Sequence, residues 1–453
     1  MYNFSEPDVN QIELFEQSLP FGGKLNRTNR WILLAELIDW RELEATYAKT
    51  FSITGRPGIR ARYVLGSLII KHIIDSSDEE AAEHISENPY MQYFIGLPRF
   101  SYRLPFDTST FSKVRKRLGK EQFDEFEQNL INTLVEKKLL RPKGLLTDAT
   151  VFQSDITFPT DCGLLNKIRH VCVEQIRTLS KAVGCKVRTY RRVAQKAYVA
   201  FSKKRRKTHK EVRQMQKQLL QYVRRNIRQL SELSELSELS ELIEEVADAG
   251  VAVTEKVVAT LQAVKELYAQ QKQMYDSKKK SVENRIVSFH KPYIRPIVRG
   301  KDGKGTEFGA KVSLSHVDGY LFADYISFDN YHEGTKFIDS VELFEKRFGK
   351  KPNYVAMDQA YGSKENRNYL KEHTIRAAVK PLGRPKKNNA NDTETRWRKR
   401  KQKERNRIEG AIGNSKNKYS LGVIRAKSEI TEYAWIRFAL MSRNIAIAGK
   451  RIL

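Results

Sequence analysis

From Pro159 to about Val287 the chain has almost no proline and little glycine, and its apolar residues recur at helical spacing. A tract this long and unbroken predicts helices throughout. The stretches on either side have another texture. Leu145-Leu146-Thr147-Asp148-Ala149-Thr150-Val151-Phe152 is short, apolar and rich in β-branched residues, and predicts a strand. Strand texture returns over Glu307–Phe328, where Phe308–Ser315 and Tyr320–Ile326 flank Asp318-Gly319, a hairpin signal. Residues 165–287 are therefore expected to be a helical insertion after the first strand of a sheet. Its first half is strongly basic, with 17 Lys or Arg against the single acid Glu211 between Lys181 and Arg228. Ser231-Glu232-Leu233 then repeats four times, through Leu242. A three-residue period drifts around a helix of 3.6 residues per turn, so the tract gives no steady coiled-coil seam and is expected to be a helical spacer.

Beyond the hairpin the pattern predicts a helix at Thr335–Phe348, a buried strand at Tyr354–Met357, a helix at Lys364–Glu372 and a strand at Ile375–Val379. A very basic loop, Gly383–Lys403, and a helix, Glu404–Lys418, follow. Upstream, residues 1–55 suggest an arm with short helices at Arg30–Ile38 and Asp39–Ala48. After Gly55-Arg56-Pro57, an apolar helix is expected at Ile59–Ile74, and Ser77 with Glu80 forms a capping box for a helix ending at Asn88-Pro89. Helices at Thr110–Leu118 and Gln122–Lys138 complete an all-helical unit over 56–140. The expected units are thus an arm (1–55), a helical domain (56–140), a sheet-bearing domain (141–164 and 288–453) and the basic insertion (165–287). Strand, hairpin, helix, strand, helix, strand, helix is the order of ribonuclease-H-like nucleases. The fold class expected is α/β, a ribonuclease-H-like mixed sheet flanked by helices, with the all-helical N-terminal domain and the long insertion.

Charge narrows the function. The chain has 453 residues and a net charge of +28, from 82 Lys and Arg against 54 Asp and Glu. A surplus of this size repels itself in a compact fold and implies a polyanionic partner, nucleic acid first and an anionic membrane surface second. No apolar run approaches the ~20 residues that span a bilayer. The N-terminal residues show neither a basic nor an apolar leader region, so a cytoplasmic, nucleoid-associated protein is expected. Cys162, Cys172 and Cys185 lack paired metal-ligand spacing and read as reduced thiols.

Three acids stand where such a sheet would gather its chemistry: Asp148 on the first strand, Asp358 at the end of Tyr354–Met357, and Glu409 on the last predicted helix. Displacement at a phosphodiester places charge on the attacking and leaving oxygens together, and two Mg²⁺ ions roughly 3.5–4 Å apart can stabilise both. Mg²⁺ prefers a few carboxylate oxygens plus substrate phosphate, and Mn²⁺ could substitute. On the Glu409 helix, Arg405 and Lys416 share the acid's face while Ile408, Ala411 and Ile412 form the adjacent apolar stripe. An Asp at a strand end more often closes a turn. The case rests on the joint order of the three acids.

These motifs resemble those of the DDE transposases of bacterial insertion sequences. The stretch 145–150 is similar to the family's first motif, an Asp followed by a small residue. Ala356-Met357-Asp358-Gln359-Ala360-Tyr361-Gly362-Ser363 is similar to the second, a strand-end Asp with Tyr three residues on. Arg405, Glu409 and Lys416 fit an Arg–Glu–Lys signature, although Gln402 stands where some relatives carry Tyr. Asn88–Leu97 and Asp107–Arg115 resemble the N-terminal transposase domain. The resemblance spans 55–440 apart from 165–290. It implies Asp148, Asp358 and Glu409 as catalytic, metal-holding residues with two Mg²⁺. It also implies hydrolysis at the element ends followed by attack of the freed 3′-OH on target DNA. Double-stranded DNA is the implied partner, and a homodimer or larger synaptic assembly is the implied state.

Three basic zones are candidates for DNA contact: Lys113, Arg115 and Lys116 on a reader helix; Lys203, Lys204, Arg205, Arg206 and Lys207 in the insertion; and Arg396, Trp397, Arg398, Lys399 and Arg400, together with Arg405 and Lys416. Two other readings compete, a metal-dependent nuclease and an inactive, element-derived DNA-binding regulator.

Overall fold

The computed structural model describes residues 1–2, 11–20, 22–55, 57–239, 247–298, 305–383 and 393–453, with side chains described outside 235–257. Arg56 of the Gly-Arg-Pro break, the end of the Ser-Glu-Leu tract and residues 384–392 of the basic loop lie outside the described residues. Two compact units result, Met1–Asp155 with Ile297–Leu453, and Ile156–Pro296.

The first unit begins with α1 (Gln11–Gln17), α2 (Arg30–Leu37) and α3 (Trp40–Ala48). Asn29 and Asp39 cap α2 and α3 through their side-chain oxygens. These helices are more than an arm, because Trp31, Ile32, Leu34 and Leu37 are buried in the main core. The helices α4 (Ala61–Ile73), α5 (Asp78–Glu87), α6 (Pro89–Phe94), α7 (Ser109–Arg117) and α8 (Lys120–Glu136) follow. The Ser77–Glu80 capping box opens α5 as expected. The first strand, β1 (Gly144–Ser154), ends this part.

The second unit is helical over α9 (Asp161–Ala182), α10 (Arg191–Lys203), α11 (His209–Leu239) and α12 (Ala247–Ser277). Its own core joins Leu165, Ile168 and Cys172 of α9 to Leu219 and Val223 of α11 and Val264 and Leu267 of α12. The three cysteines are free.

The chain then gives β2 (Pro296–Val298), β3 (Thr306–Val317), β4 (Tyr320–Ser327), α13 (Phe337–Phe348), β5 (Tyr354–Ala356), α14 (Lys364–Glu372), β6 (Arg376–Ala378), α15 (Thr393–Lys418), β7 (Val423–Ile424) and α16 (Glu429–Ile452). The β3–β4 hairpin turns at Asp318 and Gly319, whose φ angles are +48° and +92°. Two successive positive values are what a two-residue hairpin turn requires. The strand path β4-β3-β1-β5-β6 is antiparallel across its first two pairings and parallel across the last two, with β2 also on β3 and β7 on β1. This is a ribonuclease-H-like mixed sheet flanked by helices.

Two further expectations needed correction. Residues 393–403, read as part of a basic loop, are the opening turns of α15. No Pro or Gly interrupts 393–409, and Arg, Lys, Glu and Gln are good helix formers, so the helix simply extends further back. The predicted elements also stopped at Lys418, yet α16 carries one of the most buried faces of the fold, including Ala434, Ile436, Phe438, Leu440 and Ala448. One core joins α2, α4, α8 and α16 to Leu145, Phe322, Phe344 and Val355 of the sheet and α13.

Candidate active site

Strand register brings the first two acids to one level. Along the parallel β1–β5 ladder the last registered pair is Leu146 with Ala356. Asp148 and Asp358 each lie two residues beyond it, so both leave the ladder at the same height, on neighbouring strands about 4.8 Å apart. Asp148 remains in the antiparallel ladder opposite Leu314. Asp358 has left β5 and caps the short 3₁₀ turn Gln359–Tyr361, accepting from the Gln359 N–H at 2.5 Å.

The third acid arrives on α15. Ile408, Ala411, Ile412 and Ser415 are its buried side, which leaves Glu409 exposed. Arg405 stands between acids: its Nη2 donates to Glu409 Oε1 at 3.1 Å and its Nη1 to Asp148 Oδ2 at 3.5 Å. Gln402 fixes this helix against the strand ends by donating to the carbonyls of Met357, at 2.9 Å, and Ala378. The residue that departs from the Tyr of some relatives is thus a clamp between α15 and the tips of β5 and β6.

Sequence reasoning missed two neighbours. Glu333 opens the 3₁₀ turn Glu333–Lys336 and pairs with Lys311 of β3 at 3.3 Å. That turn is stapled to the Asp358 turn by the buried Asn366, which donates to Gly334 O at 2.9 Å and Tyr361 O at 2.8 Å. The approach is close enough that a Cβ on Gly334 would lie 2.9 Å from Ala360 O. Burial pushes the Asp148 carboxyl above its ordinary pKa, and the charges of Glu333 and Glu409 add to this against the Ala149 N–H and Arg405. A signal for Glu333 existed in its place just after the hairpin, but nothing local marks it as facing Asp148.

Among the described residues no group of three His, Cys, Asp or Glu side chains converges to hold a metal ion. The donors are all carboxylates, the hard oxygen type that Mg²⁺ and Mn²⁺ take, and the chemistry of the set fits such an ion. Arg405 meanwhile bridges two of them.

Comparison with known proteins places the chain. Residues 20–117 match the family described as Transposase domain (DUF772), and residues 355–442 match the Transposase DDE domain. An uncharacterised protein, ORF8 in the nfe locus of Rhizobium meliloti, is 31% identical over 199 residues, which covers 43% of this chain and 93% of that protein. The chain belongs to the DDE transposases of insertion sequences. No solved structure matches it.

The transposase acts on DNA, and the predicted contact residues sort by exposure. Lys113, Lys116, Arg396, Lys399 and Arg400 are exposed. Arg115 is not: its residue exposure is 3%, its guanidinium is bidentate to Asp78, and it lies over the Trp435 ring. The expectation that Arg115 reads base edges is therefore overturned, because a buried arginine with both terminal nitrogens committed to a carboxylate cannot present its fork to DNA. Trp397 packs edge-on against Tyr354 beneath Arg376, and Arg398 approaches Glu394 at 3.8 Å. In the insertion, Lys203–Lys207 is exposed between α10 and α11. Lys204 pairs there with Glu211 at 2.7 Å, and Lys207 donates to Lys204 O at 2.6 Å, where a cation suits a helix C-terminus. Among the described residues no helix is long and apolar enough to cross a membrane.

Proposed function

We propose that this transposase cuts phosphodiester bonds at the ends of its element and joins the freed 3′-OH to target DNA, with Asp148, Asp358 and Glu409 as its metal-holding carboxylates. The observation that carries the reading is the shared level of Asp148 and Asp358 at the end of the β1–β5 ladder, with Arg405 tying Asp148 to the helix that bears Glu409. Divalent metal, which DDE transposase domains generally use, would supply charge stabilisation at the attacking and leaving oxygens. The chain's own groups do the rest. Arg405 offsets carboxylate repulsion in the free site and is placed to meet a phosphate. The Asn366 staple ties the Asp358 turn to the Glu333 turn and the Gln402 clamp ties it to the helix that bears Glu409, which matters because small misplacements of reacting groups are costly.

DNA is gripped mainly through phosphate, by Lys113 and Lys116 of the helical region, Lys203–Lys207 of the insertion, and Arg396, Lys399, Arg400 and Lys416 of α15. Because two element ends have to be held together, the working state is a dimer or larger assembly. Three single variants test the reading on end-containing DNA with Mg²⁺ or Mn²⁺: Asp148→Ala, Asp358→Ala and Glu409→Ala. Each is expected to abolish nicking and joining while leaving DNA binding intact. A variant that nicks at the wild-type rate removes its residue from the site, and a wild-type chain that binds the ends but never nicks them would favour the DNA-binding regulator.

A further inference from the structure

Helices α4, α5, α7 and α16, with the 420–428 loop, line a cleft of about 1000 Å³ in the first unit. We infer that this cleft binds a phosphate group of the DNA strand flanking the cut, with Lys71 at its floor and Arg425 and Lys427 at its rim. The inference rests on the reading of Glu409 as part of the cutting site.

Lys71 carries the argument. It sits among the buried apolar residues Leu68, Ile69 and Ile70 of α4, its exposure is 0%, and its Nζ has no hydrogen-bond partner among the described residues. The Trp435 ring, 3.5 Å from Nζ, faces its charge. A buried ammonium without an acceptor is a costly arrangement, and an anion is what relieves it. Three of the four acids lining the cleft are engaged elsewhere, and the fourth, Glu79, is exposed at its edge. Asp78 is held by Arg115, Glu80 by the Ser77 N–H of the capping box, and Asp75 by the Ser420 hydroxyl. Exposed Lys116, Arg425 and Lys427 complete a positive lining.

Position makes the anion a strand phosphate. Lys416 lines the cleft and lies seven residues after Glu409 on α15, a rise of about 10 Å. A strand engaged at Glu409 reaches that distance within about three nucleotides, at ~3.4 Å each.

Burial, reinforced by the nearby Arg115, pushes the Lys71 pKa down to about 7, against the pull of Asp78 and Asp75, and Arg425 lowers it further. His72 beside it is kept neutral by burial. An arriving phosphate favours the charged form, so binding takes up a proton.

The test uses the full chain, a fluorescein-labelled duplex read by anisotropy, and inorganic phosphate read by calorimetry. Lys71→Met and the surface double variant Arg425→Gln/Lys427→Gln are expected to make the salt dependence shallower, by about one unit for each phosphate no longer neutralised. Wild-type affinity is expected to rise from pH 8 to pH 6 more steeply than that of Lys71→Met. Thermal melts confirm that Lys71→Met is folded, and the double variant alters only exposed side chains. Unchanged salt and pH dependence in both variants overturns the inference. So does Lys71-dependent binding of inorganic phosphate with no change in DNA affinity, which would make the cleft a free-anion site. Normal Lys71 dependence in a chain that never nicks DNA supports the cleft and sinks the catalytic reading alone.

Discussion

Arg347 and Lys71 are both buried cations of the first unit, and they are held in opposite ways. Arg347 of α13 donates to Glu127 of α8 at 2.9 Å, to Asp324 of β4, and to Ala323 O at 2.9 Å. Burial alone would lower its pKa, but the two carboxylates outweigh burial and hold it above its ordinary value. Arg437 of α16 joins the same group through Asp124 at 2.8 Å and Glu127 at 3.7 Å. Lys71 has a ring and, among the described residues, no acceptor. The first arrangement cross-links α8, α13, α16 and β4 as long as its carboxylates are ionised, and burial raises the pKa of Asp324 among them. The second leaves a charge that is cheap to remove near neutral pH and strong when an anion meets it. Pairing, more than burial, separates structural cations from functional ones here.

Four measurements press on that distinction. Arg347→Met leaves Asp324 and Glu127 short of their partner, and is expected to destabilise the chain by about 3–5 kcal/mol in urea unfolding at pH 7. A loss below about 1 kcal/mol would erase the contrast. Lys71→Met should act with the opposite sign, stabilising the free chain by about 1–4 kcal/mol at pH 7. The folded-state pKa of Lys71, about 7, lies below the ordinary 10.5. The folded chain therefore binds fewer protons between those values, and stability rises with pH across that window. Unfolding at pH 7 and pH 9 should show Lys71→Met gaining less from the pH rise than wild type. A parallel gain would mean that Lys71 is charged and solvated in the folded chain.

Asn366→Ala is an intermediate case, a neutral buried group whose amide nitrogen bonds two carbonyls. A cost of about 1–3 kcal/mol is expected, together with a fall in kcat at unchanged DNA affinity as the Asp358 turn loosens. Equal kcat would reduce the staple to packing. The smallest effect on stability belongs to Lys203–Lys207, exposed in the insertion. Neutralising all five should leave the melting temperature where it is while flattening the salt dependence of DNA binding. A lower melting temperature would show that the run's capping bonds matter more than its charge.

What sequence could reveal follows the range of each interaction. The α5 capping box, the Asp318-Gly319 turn and the places of Asp148 on β1 and of Asp358 just beyond β5 depend on residues within a few positions of one another, and local pattern was enough for them. Arg115 depends on Asp78 and Trp435, two side chains brought to it by other helices. On its own short helix it reads like its exposed neighbours Lys113 and Lys116. Glu333 faces Asp148 only because the sheet and two stapled turns bring them together. Lys71 did leave a trace, as a Lys-His pair inside an apolar helix. That trace becomes informative only once burial is known, since a helix end often carries such residues in solvent.

The β1–β3 pairing also sets a clock. Asp148 lies opposite Leu314, and the whole Ile156–Pro296 unit is translated between them. At ribosomal rates of about 5–20 residues per second, β1 waits on the order of ten to thirty seconds for its antiparallel partner. It waits longer for Glu432 of α16, whose carboxylate accepts from the β1 hydroxyl of Ser154 at 2.6 Å. During that interval the insertion can collapse on its own core, while an apolar strand bearing the first acid stays open to wrong neighbours. A nascent chain released before β5 is made would therefore be expected to aggregate through β1, and could not cut DNA, because the sheet that levels the two aspartates would not yet exist.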